Sequence, residues 1–226
     1  MVPRLVRALA SAALLLLLAS TGYAQSSPQQ RLVDLARLSV ESFLDDPYQQ
    51  PMRVYVQNAY GVLIVPEMLK AGFILGVEHG RGVLLLRDTQ TGAWSDPVFY
   101  DLYGGSLGVQ FGGQTSDAIF TIMNPAAIDK LMSSRFQLGA DASIAAGRVG
   151  VGVGTGTTIQ FGEDIYVFSR TAGLYGGVSV DGTVVLPLDG WNEAYYGRKV
   201  SPAAVLRGEI TAGGRADALR AALNRF

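Results

Sequence analysis

One histidine and no cysteine in 226 residues leave few ways to build an active site. A thiolate nucleophile and a cysteine metal site are excluded, and a structural zinc site has too few ligands. The histidine, His79, sits between two apolar runs beside Glu78 and Gly80. Nothing local identifies an activated serine, so it reads as a turn or hydrogen-bonded histidine rather than a general base. Of the carboxylate pairs, Asp45-Asp46 precedes Pro47 and reads as helix termination, while Glu163-Asp164 reads as a charged hairpin edge. No twelve-residue calcium loop occurs. The run GRVGVGVGTGTT, residues 147–158, has glycines spaced as in a phosphate loop but lacks the lysine that would reach the phosphates. No bond chemistry and no cofactor are expected, and an unrecognised hydrolase is kept only as an alternative.

The remaining chemistry is charge against apolar surface. The formal charge is −1 and the basic residues are scattered, which gives no nucleic-acid footprint. Lys70, Arg81 and Arg87 could still make a local basic rim, and Arg198-Lys199 another. Such residues attract phosphate while nearby Trp or Tyr enters a headgroup layer.

The elements that must position these residues follow from periodicity. Arg4 and Arg7 before the apolar run Ala8–Ala19, with Gly22-Tyr23-Ala24 after it, predict a cleaved signal peptide over 1–24 and a single domain over 25–226. Without those arginines the charge becomes −3. Helices are expected over Arg31–Leu44 and Pro51–Ala59, and GVLIVP reads as a buried strand that Pro66 ends. Phe73–Val77 and Val83–Arg87 are expected to pair about a turn at His79–Gly82. Tyr103–Phe111 and Ala118–Met123 give two more strands joined through Gly112–Thr115. Asn124 caps a helix from Pro125 to Ser133. Gln137–Ala146, Val149–Thr155 and Ile165–Ser169 continue the sheet, and Asp189–Tyr196 turns into a helix with Trp191 and Tyr195 facing inward. Gly213-Gly214 divides the tail before a helix that starts at Asp217.

An internal repeat ties this together. AGLYGGVSVDGTVVLPLD, residues 172–189, matches residues 71–88 at an offset of 101, with Ala71/Ala172, Gly76/Gly177, Val83/Val184 and Leu85/Leu186 in correspondence. Two related hairpins explain that match better than two catalytic loops, because glycine permits close strand approach and tight reversal. The expected fold is α+β: a glycine-rich antiparallel sheet, closed or half-closed into a barrel, with peripheral helices.

The segments AYGVLIVPEMLKAGFILGVEHGRGVLLLRD, GAWSDPVFYDLYGGSLGVQFGG, FQLGADASIAAGRVG and YVFSRTAGLYGGVSVDGTVVLPLDGWNEAYYG, in this order, resemble the SYLF or Ysc84 domain family over about residues 55–197. The resemblance implies a lipid-binding domain without bond chemistry, with phospholipid or a membrane surface as its partner. With the leader, it implies a secreted bacterial type, periplasmic or extracellular and peripherally membrane-associated at the envelope. An envelope protein bound through the sheet edge or the helices is the alternative partner. The resemblance places the best phosphate contact at Lys70, with Arg81, Arg87 and Arg148 as further lipid contacts. The family's basic-helix mode falls on Arg31–Leu44, where Asp34 and Glu41 balance Arg31 and Arg37.

Overall fold

A computed structural model describes residues 26–72, 75–107, 112–133, 135–146, 162–171, 180 and 182–226. The expected leader, the strand over Val149–Thr155 and half of the second repeat copy lie outside them.

The chain enters through helix α1 (Pro28–Leu44), whose first turn is capped by the Ser27 hydroxyl accepting from the Gln30 N–H, with Pro28 in the first turn. Leu32, Val33, Ala36, Val40, Phe43 and Leu44 bury a stripe at three- and four-residue spacing, while Leu38 points outward. Helix α2 (Met52–Asn58) follows a 3-10 turn at Pro47–Gln49. The sheet is then built from β1 (Gly61–Gly72), β2 (Leu75–Leu86), β3 (Val98–Leu107) and β4 (Gly112–Ile122). After helix α3 (Pro125–Ser133) come β5 (Phe136–Gln137), β6 (Ile144–Ala146), β7 (Ile165–Thr171) and β8 (Val184–Pro187). Helices α4 (Asp189–Tyr196), α5 (Pro202–Leu206) and α6 (Asp217–Leu223) close the fold.

The strand order is β5-β8-β3-β2-β1-β4-β7-β6, and every pair is antiparallel except β6 on β7. The two edge strands are neighbours in sequence, separated only by Leu138–Ser143, and a bridge joins Leu138 to Ala142. A link that short brings the opposite edges of the sheet together, so the sheet curls into a half-barrel. The expected α+β architecture is thereby realised.

Each face of the sheet carries a core. The outer face packs Val62, Ile64, Val83, Phe99 and Phe168 under α1, α2 and α6. The inner face packs Leu63, Leu84, Tyr100, Phe120 and Val185 with α3 and α5. Burial on both faces explains why GVLIVP shows no alternation.

Two expectations are corrected. Pro66 does not end β1: it is buried within a bulge where β1 carries one residue more than β2 and β4. At this bulge Glu67 adopts φ 53°, and its N–H donates to Asp117 Oδ1 at 3.2 Å. The proline's missing N–H is tolerated where the ladder is already broken. The extra residue also exchanges the faces, so that Met68 and Lys70 point inward and Leu69 outward. Nor is His79–Gly82 a turn, because β2 runs straight through it. Gly80 and Gly82 lie under the bulge. A Cβ on Gly82 would stand 2.7 Å from the Ile64 carbonyl oxygen, and one on Gly80 would stand 2.7 Å from the Val65 side chain. In the second repeat copy, Gly182 does turn, with φ +82°.

Candidate functional site

Beyond the bulge, β1, β2, β3 and β4 form one rim of the half-barrel. Register sets Leu69 opposite His79 and His79 opposite Tyr103, with Val77 next along β2. All are on the outer face. Leu69, Val77 and Tyr103 are 46%, 66% and 49% exposed, whereas on the same face Ile64, Val83 and Phe99 are fully buried.

A hydrogen-bonded cluster borders this patch. The buried Asp101 carboxylate accepts from the Tyr103 hydroxyl at 2.5 Å and lies 2.8 Å from His79 Nε2. The Tyr103 phenol titrates above its ordinary value, chiefly because it donates to that carboxylate. The rings of His79 and Tyr103 lie 4.9 Å apart. Arg81 reaches Asp101 at 4.0 Å and places its guanidinium 4.8 Å from the Trp191 ring.

The inner side of the rim is polar. Lys70 Nζ lies 2.7 Å from Glu78 Oε1, and the Glu78 side chain is 1% exposed. Among the described residues no hydrogen bond reaches either Glu78 carboxylate oxygen.

Of the four residues expected to contact phosphate, the rim brings two together, on opposite faces: Lys70 inward on Glu78 and Arg81 outward on Asp101. Arg87 follows the far end of β2, nine residues from Glu78, which is about 30 Å in an extended strand. There its guanidinium donates to the Gln57 carbonyl. Arg148 lies outside the described residues. In α1, Arg37 pairs with Glu41 at 2.7 Å on the solvent side. Sequence reasoning passed over Leu69, Val77 and Asp101, read Tyr103 as a core or rim aromatic, and gave Glu78 no role. The alternation Val77-Glu78-His79 was the available signal, hidden by reading the next glycines as a turn. A second concavity, about 840 Å³, lies between α3, α4 and α5 and is lined by Met132, Pro187, Asp189, Glu193, Lys199 and Pro202 among others. It mixes both charge signs with small apolar residues. Among the described residues there is no group of three or more histidines and carboxylates placed to hold a metal, and no helix long and apolar enough to cross a membrane.

Residues 103–226 match a family model, Ysc84, described as "Las17-binding protein actin regulator". The chain is 30% identical to the SH3 domain-containing protein PJ696.02 of Schizosaccharomyces pombe, over 74% of this chain and 39% of that one. It is 28% identical to Protein YSC84 of Saccharomyces cerevisiae, over 73% and 35%. It is 24% identical to the SH3 domain-containing YSC84-like protein 1 of Bos taurus, over 76% and 50%. The chain thus spans half or less of the length of these curated relatives. They are yeast and vertebrate proteins, which overturns the secreted bacterial type. The envelope role, the envelope-protein partner and the periplasmic or extracellular location fall with it.

Proposed function

The chain belongs to the Ysc84 family, and we propose that its rim binds phospholipid membrane surfaces reversibly and without bond chemistry. One observation carries this reading. Leu69, Val77 and Tyr103 stand exposed together at one end of a sheet whose same face buries Ile64, Val83 and Phe99 completely. An amphipathic tyrosine with two aliphatic side chains suits the boundary between headgroups and acyl chains. The nearby charges compensate one another, Lys70 with Glu78 and Arg81 with Asp101. Apolar contact therefore leads, and charge contributes little to affinity.

The test compares the full chain with Leu69→Ser/Val77→Ser in co-sedimentation with neutral and anionic vesicles over a salt series. The apolar run at residues 8–19 is common to both proteins, so their difference reports the rim. Losing about 1.4 kcal/mol of apolar contact lowers affinity about tenfold. Salt is expected to change binding little. Equal binding of the two proteins would remove the rim from the site, and binding confined to anionic vesicles and abolished by salt would replace apolar contact with charge.

The family description, a Las17-binding actin regulator, favours a second reading, in which the rim meets a protein of the Las17 type. Lipid-free capture of purified Las17 by the full chain, weakened by the same double substitution, would put that reading first.

A further inference from the structure

Resting on the membrane-surface reading, we infer that pH regulates the rim's hold on an anionic membrane through His79, with Asp101 as the residue that positions it. Four side chains on the outer face form a cross-strand square. His79 and Arg81 on β2 stand opposite Tyr103 and Asp101 on β3, respectively. The buried Asp101 carboxylate gathers the polar atoms of the other three. A carboxylate only accepts hydrogen bonds, so the proton of the neutral imidazole sits on Nε2 and Nδ1 is left bare. The Tyr103 hydroxyl is likewise turned inward, and its ring is what the rim presents.

The surroundings leave the charge of the patch to that one ring. Across β1 it faces Leu69, and beyond that Thr115 on β4, neither of which ionises. Arg81 lies against both Asp101 and the Trp191 ring of α4. Lys70 and Glu78 pair on the opposite face. Glu67 stands exposed at the bulge, where its N–H holds the Asp117 carboxylate. With a neutral imidazole, Arg81 and Asp101 balance and the cluster carries no net charge. A second proton must enter at Nδ1, because Asp101 already occupies Nε2. It sets one positive charge among Leu69, Val77 and Tyr103, on a side chain 40% exposed and able to meet phosphate. Histidine is the side-chain type that gains a proton between pH 8 and 5, and this chain has one. One cation at an anionic surface tightens binding about fivefold.

The experiment measures co-sedimentation of the full chain with phosphatidylglycerol-containing and with pure phosphatidylcholine vesicles at pH 7.5 and 5.5, in low and high salt. Binding to the phosphatidylglycerol vesicles should rise by that factor at pH 5.5 and lose the gain in high salt. Phosphatidylcholine binding should stay level. His79→Gln keeps a donor for Asp101 but cannot take the charge, so its gain should vanish. His79→Lys carries the charge at both pH values, and its binding at pH 7.5 should match the parent's at pH 5.5. That variant decides the matter should His79→Gln fail to fold. Residues 1–25 and the N-terminal amine are common to all three proteins, so differences between them report position 79. A gain of equal size in the parent and in either variant, or no gain in a parent that binds at pH 7.5, would overturn the inference and leave the surface reading standing. A gain at pH 5.5 without binding at pH 7.5 would uphold the inference and overturn the leading role of apolar contact. Absence of binding at both pH values would end both.

Discussion

The strands β1, β2 and β3 each pass through two environments, and the bulge at Val65–Met68 marks the border. On one side Val62, Ile64, Val83 and Phe99 are wholly buried beneath helices. On the other, the same outer face exposes Leu69, Val77 and Tyr103. Composition does not separate the two halves, since both are glycine-punctuated and rich in β-formers. What separates them is cover and register. The helices α1, α2 and α6 pack on the first half, while one inserted residue exchanges the faces of β1 as it enters the second. Apolar burial makes one half the source of stability, and apolar exposure makes the other the candidate contact surface.

The sharpest way to break this comparison is to truncate a ring in the covered half. Phe99 packs 5.0 Å from the Tyr195 ring and 6.0 Å from the Trp191 ring. Its loss in Phe99→Ala should cost about 3–5 kcal/mol in denaturant unfolding, a large share of a typical domain's stability. Val77→Ser in the exposed half should stay within about 0.5 kcal/mol. Comparable losses would mean that the rim is covered in the folded protein and is no contact surface.

The border itself comes next in size. Gly82→Ala sets a methyl 2.7 Å from the Ile64 carbonyl oxygen and 2.8 Å from the Val65 side chain, so the bulged strand must move. About 1–3 kcal/mol is the expected loss in the same measurement. Gly190→Ala, whose Cβ would meet nothing within 4 Å, serves as the neutral control. A neutral Gly82→Ala would show that the bulge does not press on β2.

Legibility in the sequence followed the same division. Asn124-Pro125 announced α3, and the Asn124 side chain does accept the Ala126 N–H. α4 took its expected bounds, with Tyr195 buried and Trp191 packed against the core. In the tail, Gly213 and Gly214 adopt φ 63° and 86° and turn the chain before α6. These features carry local signals in capping, spacing and positive φ. The bulge carries none, because a strand buried on both faces has no alternation for an inserted residue to interrupt. Edge strands of two and three residues are likewise too short to show a period. The candidate site suffered most from the missing bulge. Lys70 was legible as a cation near the rim, but its inward direction depends on the face exchange. Glu78 became visible only once β2 was known to be continuous.

The smallest effect tests the seam that lets the rim exist as an open mouth. Asp164 accepts from Asn124 Nδ2 at 2.5 Å and from the Ser143 N–H at 2.8 Å, and its own N–H donates to Ser143 Oγ at 2.9 Å. One residue thereby ties the end of β4, the start of β7 and the link before β6. These bonds, the Asn124 bond foremost, hold its carboxyl below the usual 3.8. A carboxyl depressed in the folded chain adds stability above its unfolded value, about 3.9. That contribution disappears as pH falls through the folded value. Asp164→Asn should therefore lower stability by a pH-independent amount above about pH 5, under about 1 kcal/mol because solvent screens the site. Between pH 4 and the acid limit, parent and variant should converge. Unfolding curves from pH 3 to 7 measure this directly. A constant gap down to pH 3 would show that the Asp164 charge does not hold the seam, and that closure rests on the Leu138–Ala142 link and the strand pairing alone.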